Sequence, residues 1–262
     1  MNDLKPLKRF GQNYLKDPNI LNKIVNEINP QEDDLMIEIG PGTGALTSRL
    51  IDKTENMLAV EIDKRTSESL KEKFPDLNLI IDDFLKIDLS EIYSQNYKQL
   101  RITGNIPYNL TSPIIFKLID NYKIVKDAVL MVQYEVGKRI TAHSNNKDYG
   151  ILSVLLAYFS DVKLCFKVSP NVFYPKPKVY SAVIHIYFKD SVDDYLKDTF
   201  IKIVKSSFGK RRKTLKNSLS NSIFKNIDFK NSEVDLSLRP EQLELNDFIK
   251  LAKAARESMD QV

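Results

Sequence analysis

The stretch EIGPGTGAL, residues 38–46, decides the fold. It follows an apolar run, Leu35–Ile39, with the length of a buried strand, and it leads into a helix-like segment, Ala45–Ile51. Glycines at a strand-to-helix turn let a ligand come close to the backbone and meet the amide groups at the helix start. Gly40, Gly42 and Ala45 satisfy the G-x-G-x-x-G/A pattern of dinucleotide sites. Glu61 stands at the end of the next apolar run, where an acid can bind ribose hydroxyls. By itself this pairing fits NAD and other adenosine-containing cofactors equally.

Outward from that turn, short apolar runs alternate with amphipathic segments. The runs are Leu35–Ile39, Met57–Ile62, Leu77–Ile81, Leu100–Thr103 and Ala128–Gln133, with helix-like stretches such as Lys64–Phe74 between them. Ser112 and Pro113 read as an N-cap followed by a proline at the first helical position. This alternation predicts an α/β fold on a mainly parallel sheet. A helix over Tyr149–Phe159 and two β-rich runs, Val162–Val168 and Ser181–Phe188, follow; the pair reads as an antiparallel addition at one end of the sheet. The polar KDSVDD after Phe188 marks a boundary, giving a domain over 1–190 and a small all-helical domain over 191–262.

The 262 residues have an ordinary globular composition, 42% hydrophobic and 28% charged. Cys165 is the only cysteine, so no internal disulfide forms and a reducing compartment fits. No apolar run reaches the roughly 18 residues of a membrane span, and the first ten residues lack the apolar core of a signal peptide. The expectation is a cytoplasmic monomer. One cysteine and two histidines, His143 and His185, offer no metal constellation, and all three read as structural.

The chemistry concentrates in TGNIPYNL, residues 103–110. Ile106 precedes Pro107 and is pushed toward an extended backbone, which frees its carbonyl as an acceptor. Asn105 offers a side-chain carbonyl beside it, and Tyr108 a flat ring. Together they suit an aromatic amine, its two hydrogens accepted and its ring stacked. Two acceptors favour a pyramidal nitrogen whose lone pair points at an electrophile, and holding reactants in line supplies up to roughly 7–11 kcal/mol of a barrier. Asp83, after the third run, is placed to accept from an adenine amino group, with Asp82 pointing away into solvent. Glu38, before the glycine turn, is expected to organise loop amides or touch the cofactor indirectly.

On RFGQNYL (9–15), EIGPGTGALT (38–47), Glu61, Asp83, NIPYN (105–109), MVQYEVGKRI (131–140), VFYPKPKVYSA (172–182) and FGKRRKTLKNSL (208–219), the chain resembles the ribosomal RNA adenine dimethyltransferases that use S-adenosylmethionine, most of all their bacterial small-subunit (16S) branch. The resemblance covers nearly the whole chain. It implies a Rossmann-like methyltransferase sheet with a C-terminal helical domain, and dimethylation of the 6-amino group of two adjacent adenosines in 16S rRNA of immature small subunits. Asn13, Leu15, Gly40, Glu61, Asp83 and Asn105 would contact S-adenosylmethionine; Asn105, Ile106, Pro107 and Tyr108 would form the catalytic segment. Tyr108 would stack on the target adenine and Phe173 would cover its other face. The chain departs from the family at Tyr14, usually Phe, at Ile106, usually Leu, and at Asp82-Asp83-Phe84, usually a Gly-Asp-Ala type sequence.

Charge is distributed to match. From residue 191 onward 14 basic residues face 11 acidic ones, and residues 205–216 carry six Lys/Arg and no acid. Lys210, Arg211, Arg212, Lys213 and Lys216 are the expected RNA phosphate contacts, and Arg139, Lys176 and Lys178 a weaker extension. Three rival readings are a large-subunit rRNA adenine methyltransferase, disfavoured by the C-terminal helical domain and its signature, an NAD-dependent oxidoreductase, which leaves NIPY without a purpose, and a ribosome-assembly factor that binds immature subunits.

Overall fold

The computed structural model describes residues 5–7, 10–93, 97–210 and 212–260. The chain divides into two compact units, one of residues 1–137 with 162–188 and the other of residues 138–161 with 189–262.

The first unit is an α/β sheet. In chain order its elements begin β1 (Tyr14–Leu15), α1 (Pro18–Ile28), β2 (Leu35–Ile39), α2 (Thr47–Leu50), β3 (Asn56–Val60), α3 (Lys64–Lys73), β4 (Asn78–Ile80) and α4 (Leu89–Ile92). They continue with β5 (Leu100–Asn105), α5 (Thr111–Asp120), β6 (Val125–Gln133), α6 (Tyr134–Ile140), β7 (Ser160–Val168), β8 (Phe173–Tyr174) and β9 (Ser181–Phe188), α6 and β7 each crossing a unit boundary. The main sheet runs β4-β3-β2-β5-β6-β9-β7. β4 through β6 are parallel, and β9 joins β6 antiparallel with Gln133 opposite Ser181. Every residue of β2 is buried, Glu38 included, as a central strand covered on both faces of a parallel sheet must be. One sheet face is covered by α1, whose Leu21, Ile24, Val25 and Ile28 join Met36, Met57, Val129 and Met131 in one cluster. β1 and β8 make a separate two-stranded ribbon, Leu15 opposite Phe173.

Two expectations change. α5 begins at Thr111 rather than after a Ser112 cap: a 3₁₀ turn over Tyr108–Leu110 runs directly into it, and Pro113 sits in the first turn, where its missing N–H costs nothing. Residues 138–161, expected within the 1–190 domain, belong to the helical unit because their aromatic side chains pack there. Tyr158 stacks on Phe200 at 4.0 Å and Tyr149 meets Phe208 edge-on at 6.2 Å.

That second unit holds α7 (Ile151–Phe159), α8 (Asp194–Phe208), α9 (Leu215–Leu219) and α10 (Leu245–Asp260). Its core includes Phe200, Phe248, Leu251 and Ala252, all fully buried. The described part of the basic cluster runs from the end of α8 through the connection into the start of α9. Lys210, Arg212, Lys213 and Lys216 are exposed there, and none pairs with a carboxylate among the described residues; Arg211 lies outside those residues.

His185 on β9 is buried, with Nε2 2.9 Å from Asp127 Oδ2 and Nδ1 3.0 Å from Glu27 Oε1. Arg101 holds the same Asp127 bidentately. This polar knot ties β5, β6 and β9 together, so His185 is structural. Among the described residues no cluster could hold a metal ion, and no helix is long and apolar enough to cross a membrane.

Candidate active site

The strand order puts the carboxyl ends of β4, β3, β2 and β5 side by side, and the order reverses at β2, where parallel sheets open a crevice. A cleft lies there, lined by Gly40, Glu61, Asp83 and Asn105.

Its floor is the glycine turn after β2. Gly40 and Gly42 have φ of 63° and 56°, a region that L side chains enter only at a cost. A Cβ at Gly42 would lie 2.8 Å from the Tyr14 ring, whereas one at Gly40 would meet nothing within 4 Å. Gly42 is thus fitted to Tyr14, and Gly40 leaves open space over the backbone. The Tyr14 hydroxyl is buried without a hydrogen-bond partner among the described residues. Burial, with Glu61 and Asp63 nearby, pushes it up to about 12.

Glu61 follows β3 and lines the cleft. The Gly42 N–H donates to its Oε2 at 3.1 Å and the Asp63 N–H to its Oε1 at 2.9 Å, so this carboxylate clamps the glycine turn to the start of α3. Burial holds its pKa above the usual carboxylate range. Asp63 in turn accepts from Arg65 and from Gln12 Nε2 at 3.0 Å. Of the two roles expected for Glu38, contact with loop amides is not made among the described residues. Its Oε2 accepts from Thr47 Oγ1 at 2.6 Å, and burial, reinforced by Glu61, pushes it up to about 7.

Beyond β4, Asp82 is exposed and accepts the Asp83 N–H at 2.7 Å. Asp83 lies deeper, and one of its oxygens caps the following turn through Leu85 N–H at 3.0 Å. That turn is fastened to α5 by Lys117, whose Nζ donates to the Leu85 carbonyl at 3.2 Å and to the Ile87 carbonyl.

At the end of β5 the Asn105 side chain donates from Nδ2 to the Asn13 backbone carbonyl at 2.7 Å. This single bond orients the amide: one of its two N–H groups is used, and Oδ1 stays available as an acceptor. The Ile106 carbonyl receives no hydrogen bond among the described residues. Tyr108 bonds through its hydroxyl to Ser181 Oγ at 2.7 Å, which pins the ring. Asn13, Leu15, Gly40, Glu61, Asp83 and the 105–108 segment all line the same cleft.

Phe173 does not join them. It is only 5% exposed and packs in the core cluster with Leu15, because β8 pairs with β1 and turns Phe173 inward and Tyr174 outward. Sequence reasoning gave no role to Gln12, Thr47, Lys117 and Ser181; all but Lys117 stood in quoted motifs, but their roles show only in the partners that folding brings to them.

The family described as ribosomal RNA adenine dimethylase matches residues 4–257. The chain is 44% identical over 249 residues to the ribosomal RNA small subunit methyltransferase A of Chlorobium phaeobacteroides (strain BS1), covering 95% of this chain and 93% of that protein. Identity is 43% over 255 residues to the protein of that name from Francisella tularensis subsp. novicida (strain U112), covering 95% and 97%. Among solved structures, a dimethyladenosine transferase from Plasmodium falciparum superposes with a TM-score of 0.76 at 28% identity, covering 90% of this chain and 95% of that one. The 23S rRNA methyltransferase ErmE superposes at 0.69 with 22% identity, covering 92% and 98%. The fold, helical unit included, therefore does not separate this chain from a large-subunit enzyme as expected; the sequence identities do. The chain belongs to the ribosomal RNA adenine dimethylase family.

Proposed function

We propose that the chain dimethylates the 6-amino groups of two adjacent adenosines in 16S rRNA of immature small subunits, acting as a monomer in the cytoplasm. It is an S-adenosylmethionine-dependent rRNA adenine dimethyltransferase. The cleft fits that cofactor: an open backbone at Gly40, and Glu61 and Asp83 at neighbouring strand ends for ribose and adenine. Asn13, Leu15 and Asn105 complete the contact set. When bound, S-adenosylmethionine supplies an electrophilic methyl group on a sulfonium.

The observation that carries the reading is the Asn105 amide, held through Nδ2 by the Asn13 carbonyl, which leaves Oδ1 as the acceptor. With the Ile106 carbonyl it accepts both hydrogens of the exocyclic amine. Pro107 stiffens that carbonyl, and the Tyr108 ring, held by Ser181, stacks on the base. Bases are reached by extrusion or from unpaired RNA at a cost of a few kcal/mol; stacking worth about 1–3 kcal/mol offsets much of it. The amine turns acidic as its new N–C bond forms, so its proton needs no strong base. Lys210, Arg211, Arg212, Lys213 and Lys216 of the helical part, residues 191–262, hold RNA phosphates.

The test is transfer of labelled methyl groups to immature small subunits, naked 16S rRNA and 23S rRNA side by side. Label in the small-subunit RNA is expected; label confined to 23S rRNA would overturn the choice of subunit.

A further inference from the structure

Between Phe173 and Ser181 the chain reads YPKPKVY, residues 174–180, without an acid. Phe173 and Pro177 are buried and anchor the segment, while Tyr174 and Tyr180 remain 53% and 49% exposed and Lys176 and Lys178 face solvent. Each exposed ring carries a cation. Lys16 Nζ lies 4.5 Å from the Tyr174 ring centre, and Lys167 Nζ lies 3.8 Å from that of Tyr180 and 4.7 Å from that of Tyr134. None of Lys16, Lys167, Lys176 and Lys178 pairs with a carboxylate among the described residues. The Tyr180 carbonyl accepts the Tyr134 N–H at 2.9 Å, and the next residue, Ser181, is the one that holds Tyr108.

We infer that this segment is the track for the unpaired RNA flanking the target adenine, with Tyr180 the platform for the adjoining nucleotide. The inference rests on reading Asn105–Tyr108 as the target-base site. Half-exposed aromatic rings interleaved with cations that no carboxylate holds match single-stranded nucleic acid, whose bases stack on any flat ring and whose phosphates take the lysines. Continuity through Ser181 places the platform one residue from the group that fixes the stacking tyrosine. An acidic peptide would satisfy the lysines and leave the rings unused.

The full-length chain is assayed on immature small subunits as Tyr180→Ala, Tyr180→Phe and Lys176→Gln/Lys178→Gln. Tyr180→Ala should raise the RNA KM about 5- to 140-fold, the range of one lost stacking contact, with kcat and S-adenosylmethionine affinity unchanged. Tyr180→Phe keeps the ring and should behave as the parent. The double lysine variant should flatten the log K against log salt slope by about 1.4, two single-strand phosphates. All three positions are exposed, so folding is not at stake. An RNA KM within twofold of the parent in Tyr180→Ala, or an unchanged salt slope, would overturn the track. Asn105→Ala, run in parallel, separates the two readings: if it alone abolishes turnover, the base site stands and the track falls. If Asn105→Ala turns over like the parent, the base site and the track built on it both fall.

Discussion

Replacing Glu38 by glutamine turns its burial into a stability measurement. The folded carboxyl sits at about 7 against an ordinary 4.5. The folded state therefore holds a proton that the unfolded chain has already lost, and stability falls as pH rises from 4.5 to 7. The amide of the Glu38→Gln variant keeps the acceptor for Thr47 and never ionises, so the other titrating groups cancel between the two proteins. Between pH 5 and 8 the parent should lose about 2.5 kcal/mol relative to the variant, at about 1.4 kcal/mol per unit. For a unit of this size that is about 5–10 °C in the midpoint difference. Calorimetric scans of both proteins across that pH range read it directly. A midpoint difference that does not change with pH would refute the burial argument for Glu38.

Gly42→Ala should cost at least about 1–2 kcal/mol from its left-handed backbone alone, before contact with the Tyr14 ring is counted; an unchanged denaturation midpoint would contradict that fit. Tyr14→Phe removes a buried hydroxyl without a partner and should stabilise the protein by about 1 kcal/mol in chemical denaturation. Neutralising Arg211, Arg212 and Lys213 should change the slope of log K for RNA against log salt by roughly 2 to 3 while leaving S-adenosylmethionine affinity alone. An unaltered slope would make the cluster a solvated surface.

The main sheet was legible because each parallel strand is a short apolar run and each helix between them is amphipathic. The glycine turn announced where the ligand cleft begins. Other features depend on partners that no local pattern reveals. The Asn105 amide is turned by a carbonyl 92 residues upstream, so its geometry, unlike its presence, is invisible in NIPY. The resemblance set Phe173 over the target base, and nothing local argued otherwise, because β8 is two residues long and carries no periodicity; its pairing with β1 turns it inward. The apolar α7 could have covered either unit, and its aromatic contacts with Phe200 decide the matter. The turn over Tyr108–Leu110 misled the placement of α5 because Pro113 is tolerated anywhere in a first helical turn.

The central claim is that Asn105 Oδ1 and the Ile106 carbonyl hold an amine through two successive transfers. After one transfer the amine still donates one hydrogen and can be held again; after two it has none, and the product leaves. The decisive measurement is mass spectrometry of nucleosides from immature small subunits treated to completion with S-adenosylmethionine. The account predicts 6-dimethyladenosine as the end product, with turnover falling 100-fold or more, about 2.7 kcal/mol, in Asn105→Ala. A product that stops at one methyl per adenine would contradict it.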